Sequence, residues 1–296
     1  DMFISGPTLT PAPEPSTPLT PRVDATTDLP ARIEPPLDDG QESWTVIPSA
    51  DYVTSHSAHV LGVKPDRLYS VSVVARTQGG VPTAPVALAL ATPALPSDFP
   101  PLNVVVSDPA NMEPGVTLFN LSALGAGIAN TRLIIVDEVG DVIWYHQATA
   151  NIGDARRLSN GNLLYNAGDN LLREIDMLGV VQTEWFADNL APGGGPVGSI
   201  PMPVDTFHHE VYEIPPAGPL GEPTFITLST ELRTIPNYPA DEVDPTMTDP
   251  TAEVVGDVVV EFERDGTIVR SHALLDILDP FRMSYDTLGS FWAVAY

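Results

Sequence analysis

Short segments in which apolar and small polar residues alternate recur along the chain, and this period of two predicts β-strands. Three pairs of these segments enclose the same kind of turn, made of an acidic residue, two turn residues and a glycine. The copies read "VDEVGDVIW" at 136–144, "IDMLGVV" at 175–181 and "FERDGTIV" at 262–269. Each copy predicts a β-hairpin whose glycine supplies a positive φ. The pattern therefore predicts an all-β fold with repeated hairpins.

The spacing of these hairpins is typical of a β-propeller. Gly140 and Gly179 lie 39 positions apart, which is the length of one four-stranded blade. The 87 positions from Gly179 to Gly266 fit one blade enlarged by loops at 187–206 and 236–255. Residues 115–146 supply a further blade, or most of one. The two complete blades predict eight strands, at 155–158, 163–166, 171–176, 181–186, 208–214, 224–229, 257–263 and 267–272.

About three blades are too few to close a ring. Propellers typically have four to eight blades, because an open arc leaves sheet faces and edges exposed to water. We therefore expect residues 115–296 to form the N-terminal blades of a propeller that is completed by residues or a chain beyond position 296. The segment "PALPSDFPP" at 93–101 is typical of a linker, and residues 94–114 are interpreted as a linker with a lead-in strand.

The N-terminal segment is rich in proline, with nine prolines between residues 7 and 36. Serine and threonine stand between many of them, and this composition predicts an extended, polyproline-like leader over residues 1–30. Two interpretations stay open at this point. The leader is either a spacer from a cell surface or another domain, or a disordered tail.

A second pattern of short alternating strands covers residues 31–93. Its segment "LGVKPDRLYSVSVVAR" at 61–76 resembles the corner before strand F of fibronectin type III domains. In that family a tyrosine opens strand F, and its hydroxyl bonds to the backbone a few residues upstream. The resemblance implies a fibronectin III-like β-sandwich over residues 31–93, with Tyr69 as the corner residue. Modules of this kind serve mainly as spacers or protein-binding units.

Composition excludes several classes of function. The chain has 13 basic and 39 acidic residues, a formal net charge of −26 and a single lysine, Lys64, whereas nucleic acids and anionic membranes bind basic surfaces. It has no cysteine, so disulfides and thiolate chemistry are excluded. No apolar stretch approaches the roughly 18–20 residues of a transmembrane segment. The acidic, lysine-poor composition and the non-methionine first residue favour a secreted, periplasmic or cell-surface protein.

The adjacent histidines in "DTFHHEVYEIP" are the strongest candidates for chemistry. His208 and His209 open the innermost strand of a predicted blade, where side chains reach the central channel. Strand alternation would place His208 and Glu210 on one side and His209 on the other. Either one imidazole contacts a substrate, or both are structural. We predict no metal, because no third ligand stands nearby, and no cofactor, because no phosphate-binding glycine loop opens a helix.

Several segments resemble the bacterial aryl-sulfate sulfotransferase (arylsulfotransferase) family. They are "LSNGNLLYNAGDNLLREIDMLGVVQTEW", "FHHEVYEIP", "VDEVGDVIWYH" and "SDPANMEPGVTLFNLS", and the likeness runs from residue 101 to 296. The resemblance implies a six-bladed propeller behind a smaller β domain. It also implies transfer of a sulfuryl group from a phenolic sulfate ester to a phenol without a nucleotide donor. The family's route passes through a sulfo-histidine, which suits the nucleophilicity of a neutral imidazole.

Only His208-His209 falls on an active-site segment of that family, and His208 is favoured because it would share a face with Glu210. The family's other elements, including its nucleophilic histidine, do not occur in these 296 residues. The resemblance therefore implies that this chain supplies part of the site, with a C-terminal fragment of the same protein as a possible partner. The alternative function is a secreted or cell-surface binding or structural protein that uses the propeller scaffold without catalysis.

Overall fold

The computed structural model describes residues 3–46, 51–108, 110–121, 131–218, 221–241, 243–244 and 246–282. Within these ranges the protein is nearly all β, and none of its several sheets closes on itself, so the predicted all-β class is confirmed. The chain forms two compact units, residues 1–152 with 176–180, and residues 153–175 with 181–296. Residues 122–130 and 283–296 of the predicted blades lie outside the described residues.

The first unit begins with a seven-stranded sheet. Its order is β1-β2-β6-β3-β4, with β5 also pairing with β2 and β7 with β6. The strands are β1 (Phe3–Thr10), β2 (Arg22–Glu34), β3 (Pro36–Asp38), β4 (Ser43–Thr45), β5 (Val53–His59), β6 (Leu68–Thr77) and β7 (Val86–Ala91). Every second residue of β6 from Tyr69 to Ala75 is fully buried, as the alternating pattern predicts for a half-buried strand.

Tyr69 makes the hydrogen bond that the sequence resemblance implies. The backbone N–H of Lys64 donates to the Tyr69 hydroxyl over 2.9 Å, and the ring packs edge-on against Trp44 at a centroid distance of 5.6 Å. Burial raises the pKa of the Tyr69 hydroxyl, which keeps it a neutral acceptor. The assignment of residues 31–93 to a fibronectin III-like module, with its boundaries, stays a prediction.

The proline-rich segment differs from the extended leader that its composition predicts. Residues 3–10 and 22–34 are strands of the seven-stranded sheet, and Leu19 and Val23 belong to its core. Proline is tolerated because of where it stands in the strands. Pro7 lies in β1, which among the described strands pairs with β2 alone. Pro30 lies in β2 where the pairing with β5 shifts register between Thr26 and Ala31.

The first unit also contains a three-stranded sheet of order β10-β9-β8. Its strands are β8 (Thr117–Leu121), β9 (Arg132–Val136) and β10 (Val142–Gln147). Lys64 binds the β9–β10 turn, with its Nζ 3.0 Å from both Asp137 Oδ2 and Asp141 Oδ2, and it reaches Glu42 Oε1 at 3.1 Å. The lysine side chain is only 9% exposed. We call these four residues the Lys64 cluster.

The second unit contains two larger sheets, of orders β11-β12-β13-β14-β15 and β16-β17-β20-β21. The strands are β11 (Ile152–Arg157), β12 (Leu163–Ala167), β13 (Leu171–Ile175), β14 (Val181–Ala187), β15 (Ile200–Met202), β16 (His208–Ile214), β17 (Thr224–Ile235), β18 (Tyr238–Pro239), β19 (Thr248–Asp249), β20 (Ala252–Phe262) and β21 (Ile268–Ala273). Strands β18 and β19 form a small ribbon, and α1 (Leu274–Ile277) follows β21. All eight strands predicted between residues 155 and 272 are present, while their assignment as propeller blades stays a prediction.

Two buried tryptophans make equivalent hydrogen bonds to the repeated hairpins. In the first unit, Trp144 Nε1–H donates to the carbonyl of Met177 over 2.9 Å. In the second unit, Trp185 Nε1–H donates to the carbonyl of Arg264 over 3.0 Å. Met177 and Arg264 each directly follow the acidic residue of their hairpin. The repeat in the sequence is therefore also a repeat in hydrogen bonding.

Candidate functional site

The two histidines follow a loop that is firmly anchored within the second unit. The Phe207 N–H donates to the Asp169 carbonyl over 2.6 Å, and the phenylalanine ring is fully buried. The N–H groups of Asp205 and Thr206 both donate to Ser229 Oγ over 3.2 Å. The chain therefore enters β16 at a fixed position, immediately before His208.

A bulge at the start of β16 separates the histidines from the regular ladder. His208 is paired with Leu228 and Val211 with Thr227, so two extra residues stand on β16. His209 has a φ of 58°, a left-handed conformation that is uncommon for residues other than glycine. The bulge is fixed from the neighbouring strand β11, where Asp154 Oδ2 accepts the Val211 N–H over 3.3 Å.

The bulge changes the expected orientation of the pair. Regular alternation would place the imidazoles on opposite sides of the sheet, but their ring centroids lie 5.0 Å apart with an interplanar angle of 79°. The rings thus contact each other edge to face. A face shared with Glu210, the reason for favouring His208, requires an unbroken strand and does not apply to a bulge. The structure brings both predicted residues to one place.

His208 is the more enclosed of the two imidazoles. Its side chain is 17% exposed and its Nε2 lies 3.7 Å from Asp257 Oδ1, whereas His209 is exposed. Nε2 is buried and has no hydrogen-bond partner among the described residues. An unsatisfied buried nitrogen is costly, and at functional sites such a group often awaits a ligand or a conformational adjustment.

Strand β11 places a cation beside the histidine strand. Arg156 lies over the Tyr212 ring at 4.5 Å and donates to its hydroxyl over 2.9 Å. Its Nε also pairs with Asp154 Oδ2 at 2.9 Å. Burial opposes the charged form, but the hydrogen bond and charge of Asp154 outweigh it and raise the pKa of Arg156. This guanidinium is therefore a fixed positive charge that is already paired with the Asp154 carboxylate.

Asn166 is a polar residue that sequence reasoning missed. It stands in β12 within the apolar run "LLYNA", and it is 2% exposed. Neither atom of its side-chain amide has a partner within the part of the chain that the structure describes. A Cβ built on Gly153 would lie 3.7 Å from Asn166 Cγ and 3.6 Å from the His209 carbonyl oxygen. The available signal was one asparagine in an otherwise apolar strand, which is weak because strands of ordinary cores also contain single polar residues.

The described residues show no cluster of three or more histidine, cysteine, aspartate or glutamate side chains that could hold a metal ion. Over the same residues, no helix is both long and apolar enough to span a membrane.

Comparison with known protein families identifies a match over much of the chain. The family model for arylsulfotransferase (ASST) matches residues 103–291, a span that includes His208, His209, Asp257 and Asn166. No curated protein and no solved structure matches the chain. The family match supports arylsulfotransferase activity in general, with phenolic substrates. Since it covers well over half of the 296 residues, the chain belongs to the arylsulfotransferase family.

Proposed function

We propose that this protein takes part in nucleotide-independent transfer of a sulfuryl group from a phenolic sulfate ester to a phenol, through a sulfo-histidine intermediate. The observation that carries the proposal is the contacting pair His208-His209, which lies inside the segment matched by the family. In this proposal the chain supplies only part of the site. The histidine that carries the sulfuryl group lies outside these 296 residues, on a C-terminal portion of the same protein.

The transfer consists of two balanced half-reactions. In the first, an imidazole nitrogen donates its lone pair to sulfur, and the bond from sulfur to the donor's phenolic oxygen breaks. The phenolate leaves with that electron pair and takes up a proton. In the second, the acceptor phenol loses its proton and its oxygen bonds to sulfur. The sulfur–nitrogen bond then breaks, and its electron pair returns to the imidazole.

In this scheme the pair His208-His209 contacts the sulfuryl oxygens or the phenolic oxygen. An imidazole N–H stabilises negative charge that develops on these oxygens in the transition state, and an imidazole nitrogen also exchanges protons near neutral pH. The edge-to-face contact of the rings allows both residues to act on one substrate. Arg156, on β11 of the other sheet of this unit, adds a positive charge that contacts Tyr212 of the histidine strand.

We further propose that residues 115–296 are N-terminal blades of a six-bladed propeller, behind a fibronectin III-like domain at 31–93 and a linker at 94–114. The equivalent hydrogen bonds of Trp144 and Trp185 support this, because repeated blades are expected to repeat their contacts. The proposed location is outside the cytoplasm, supported by the acidic composition with its single lysine.

The test is a transfer assay on the full-length natural protein, with 4-nitrophenyl sulfate as donor, phenol as acceptor and no nucleotide. Without an acceptor, wild type should release at most about one nitrophenolate per site, and continued turnover should require the acceptor and follow ping-pong kinetics. His208→Ala or His209→Ala should lower kcat by about 100-fold, the effect of losing one transition-state hydrogen-bond donor. His272→Ala is the matched control, because His272 is an exposed histidine of β21 in the same sheet.

Two results would overturn the proposal. One is a wild-type protein without turnover, which would favour the non-catalytic binding or structural function. The other is full activity in both the His208 and His209 variants, which would separate the activity from this pair.

A further inference from the structure

The sheet register brings one carboxylate to His208. On β17 the partner of His208 is Leu228, and Leu228 pairs in turn with Val259 on β20. Asp257 stands two residues before Val259 and therefore on the same face of the sheet. Its position is thus diagonal to His208, on a strand separated from it by 49 positions in sequence.

The contact between these residues joins a buried imidazole nitrogen to a half-exposed carboxylate. Asp257 Oδ1 lies 3.7 Å from His208 Nε2, and the aspartate side chain is 48% exposed. Nε2 is the buried nitrogen without a hydrogen bond within the described part of the chain. The distance is just beyond hydrogen-bonding range, and catalytic hydrogen bonds that are long in a free enzyme commonly tighten in the substrate complex.

We propose that Asp257 is the positioning residue of His208. Its carboxylate accepts the Nε2–H and so holds the neutral imidazole in the Nε2–H tautomer, since the bond made by one ring nitrogen decides which nitrogen carries the proton. Nδ1 then carries the lone pair that faces the substrate. This inference rests on the proposed function and assigns His208 to proton transfer with the phenols.

The assigned step conserves protons and electrons. As the acceptor phenol attacks, its O–H bond breaks and the proton passes to His208 Nδ1, while the oxygen electron pair forms the bond to sulfur. In the donor half-reaction the same Nδ1–H returns a proton to the leaving phenolate. Asp257 does not touch the substrate and keeps its negative charge throughout, as the carboxylate of a histidine–carboxylate pair does in acyl transfer.

The closing experiment reads the tautomer directly. Long-range ¹⁵N–¹H spectra of the histidine rings are recorded at alkaline pH, where imidazole is neutral, and His208 is assigned by the loss of its signals in His208→Gln. Wild type should show the Nε2–H form, and Asp257→Ala a mixture of both tautomers. Asp257→Asn, whose amide oxygen still accepts a hydrogen bond, should largely keep the wild-type signature. Glu253→Gln is the matched control, because it removes one exposed carboxylate from the same strand.

Activity separates this inference from the proposed function. Asp257→Ala should lower kcat by about 10- to 100-fold, the usual cost of losing an orienting carboxylate, with the KM of the donor unchanged and Asp257→Asn partly rescuing. An Asp257→Ala spectrum identical to wild type overturns the inference, whatever the activity. A tautomer change in Asp257→Ala together with full activity in His208→Gln supports the positioning contact but overturns the role of His208 in transfer.

Discussion

Replacing Trp185 by phenylalanine tests whether the repeated tryptophan hydrogen bond stabilises the second unit. Trp185 is fully buried, and the centroid of its ring lies 5.4 Å from that of Phe225 and 5.7 Å from that of Phe262. The substitution removes the donor to the Arg264 carbonyl, at about 1 kcal/mol for one hydrogen bond. It also shortens the ring and leaves a cavity in this aromatic cluster, which adds about 1–2 kcal/mol. The expected loss is therefore about 2–3 kcal/mol.

The assay should be local, because a chain with two compact units need not unfold in one step. Hydrogen exchange of the peptides that contain β14 and the 263–266 turn should become about 30- to 140-fold faster in Trp185→Phe, since 1.4 kcal/mol is a factor of ten. Trp44→Phe, in the first unit, should leave these amides unchanged. If the turn amides of Trp185→Phe exchange at the wild-type rate, the hydrogen bond carries no stability and the reasoning fails.

Two further predictions concern buried charges. Glu174, which is 1% exposed, accepts hydrogen bonds from Asn160 and Asn162 and pairs with Arg264. Burial alone would raise its pKa, but these partners lower it below the ordinary value, so its stabilisation is present above about pH 4.3 and is lost as the pH falls further. Glu174→Gln should lower the free energy of unfolding by about 2 kcal/mol at pH 7. This is less than for a fully buried pair, because Arg264 is partly exposed. The loss should be much smaller at pH 3, where urea unfolding measures it, and an equal loss at both pH values would contradict the prediction. Lys64→Met should destabilise the first unit by about 2 kcal/mol, because it leaves three carboxylates together without their cation. Salt should reduce this loss of stability by screening the repulsion between the carboxylates. Thermal unfolding at low and high NaCl measures the loss, and a loss that grows with salt would refute carboxylate repulsion as its cause.

The hairpins were predictable because their signal is local. An acidic residue, two turn residues and a glycine specify a tight turn within a few positions, and the glycines of all three copies have a φ between 78° and 87°. The strands of the second unit followed from period-two alternation beside these turns. No long-range information was needed for either.

The proline-rich segment shows where composition misleads. Proline content predicts an extended, unpaired chain, yet residues 22–34 are held in a sheet by β1, β5 and β6. The stabilising partners are far away in sequence, so composition of the segment alone does not reveal them. Alternation within "RVDATTD" was the available signal, and it was outweighed by the prolines around it.

The candidate site was predictable only in part. Adjacent histidines are visible in the sequence, but the bulge that brings their rings into contact depends on a positive φ at His209. A glycine at that position would have indicated a positive φ, whereas a histidine does not. Asp257 was equally hidden, because its proximity to His208 comes from pairing between β16, β17 and β20. Asn166 required knowledge of which strands pack beside β16.

The Lys64 cluster makes the protein unusual for amine chemistry. Its single side-chain amine is enclosed by three carboxylates, and a proline follows it at position 65. Acylating reagents need a free, neutral amine. Burial alone would lower the pKa of Lys64, but the carboxylates outweigh it and raise that pKa, so they withhold the neutral form. The rate at which a biotin ester labels this side chain therefore reports how often the cluster opens, and no residue has to be introduced by mutation to measure it.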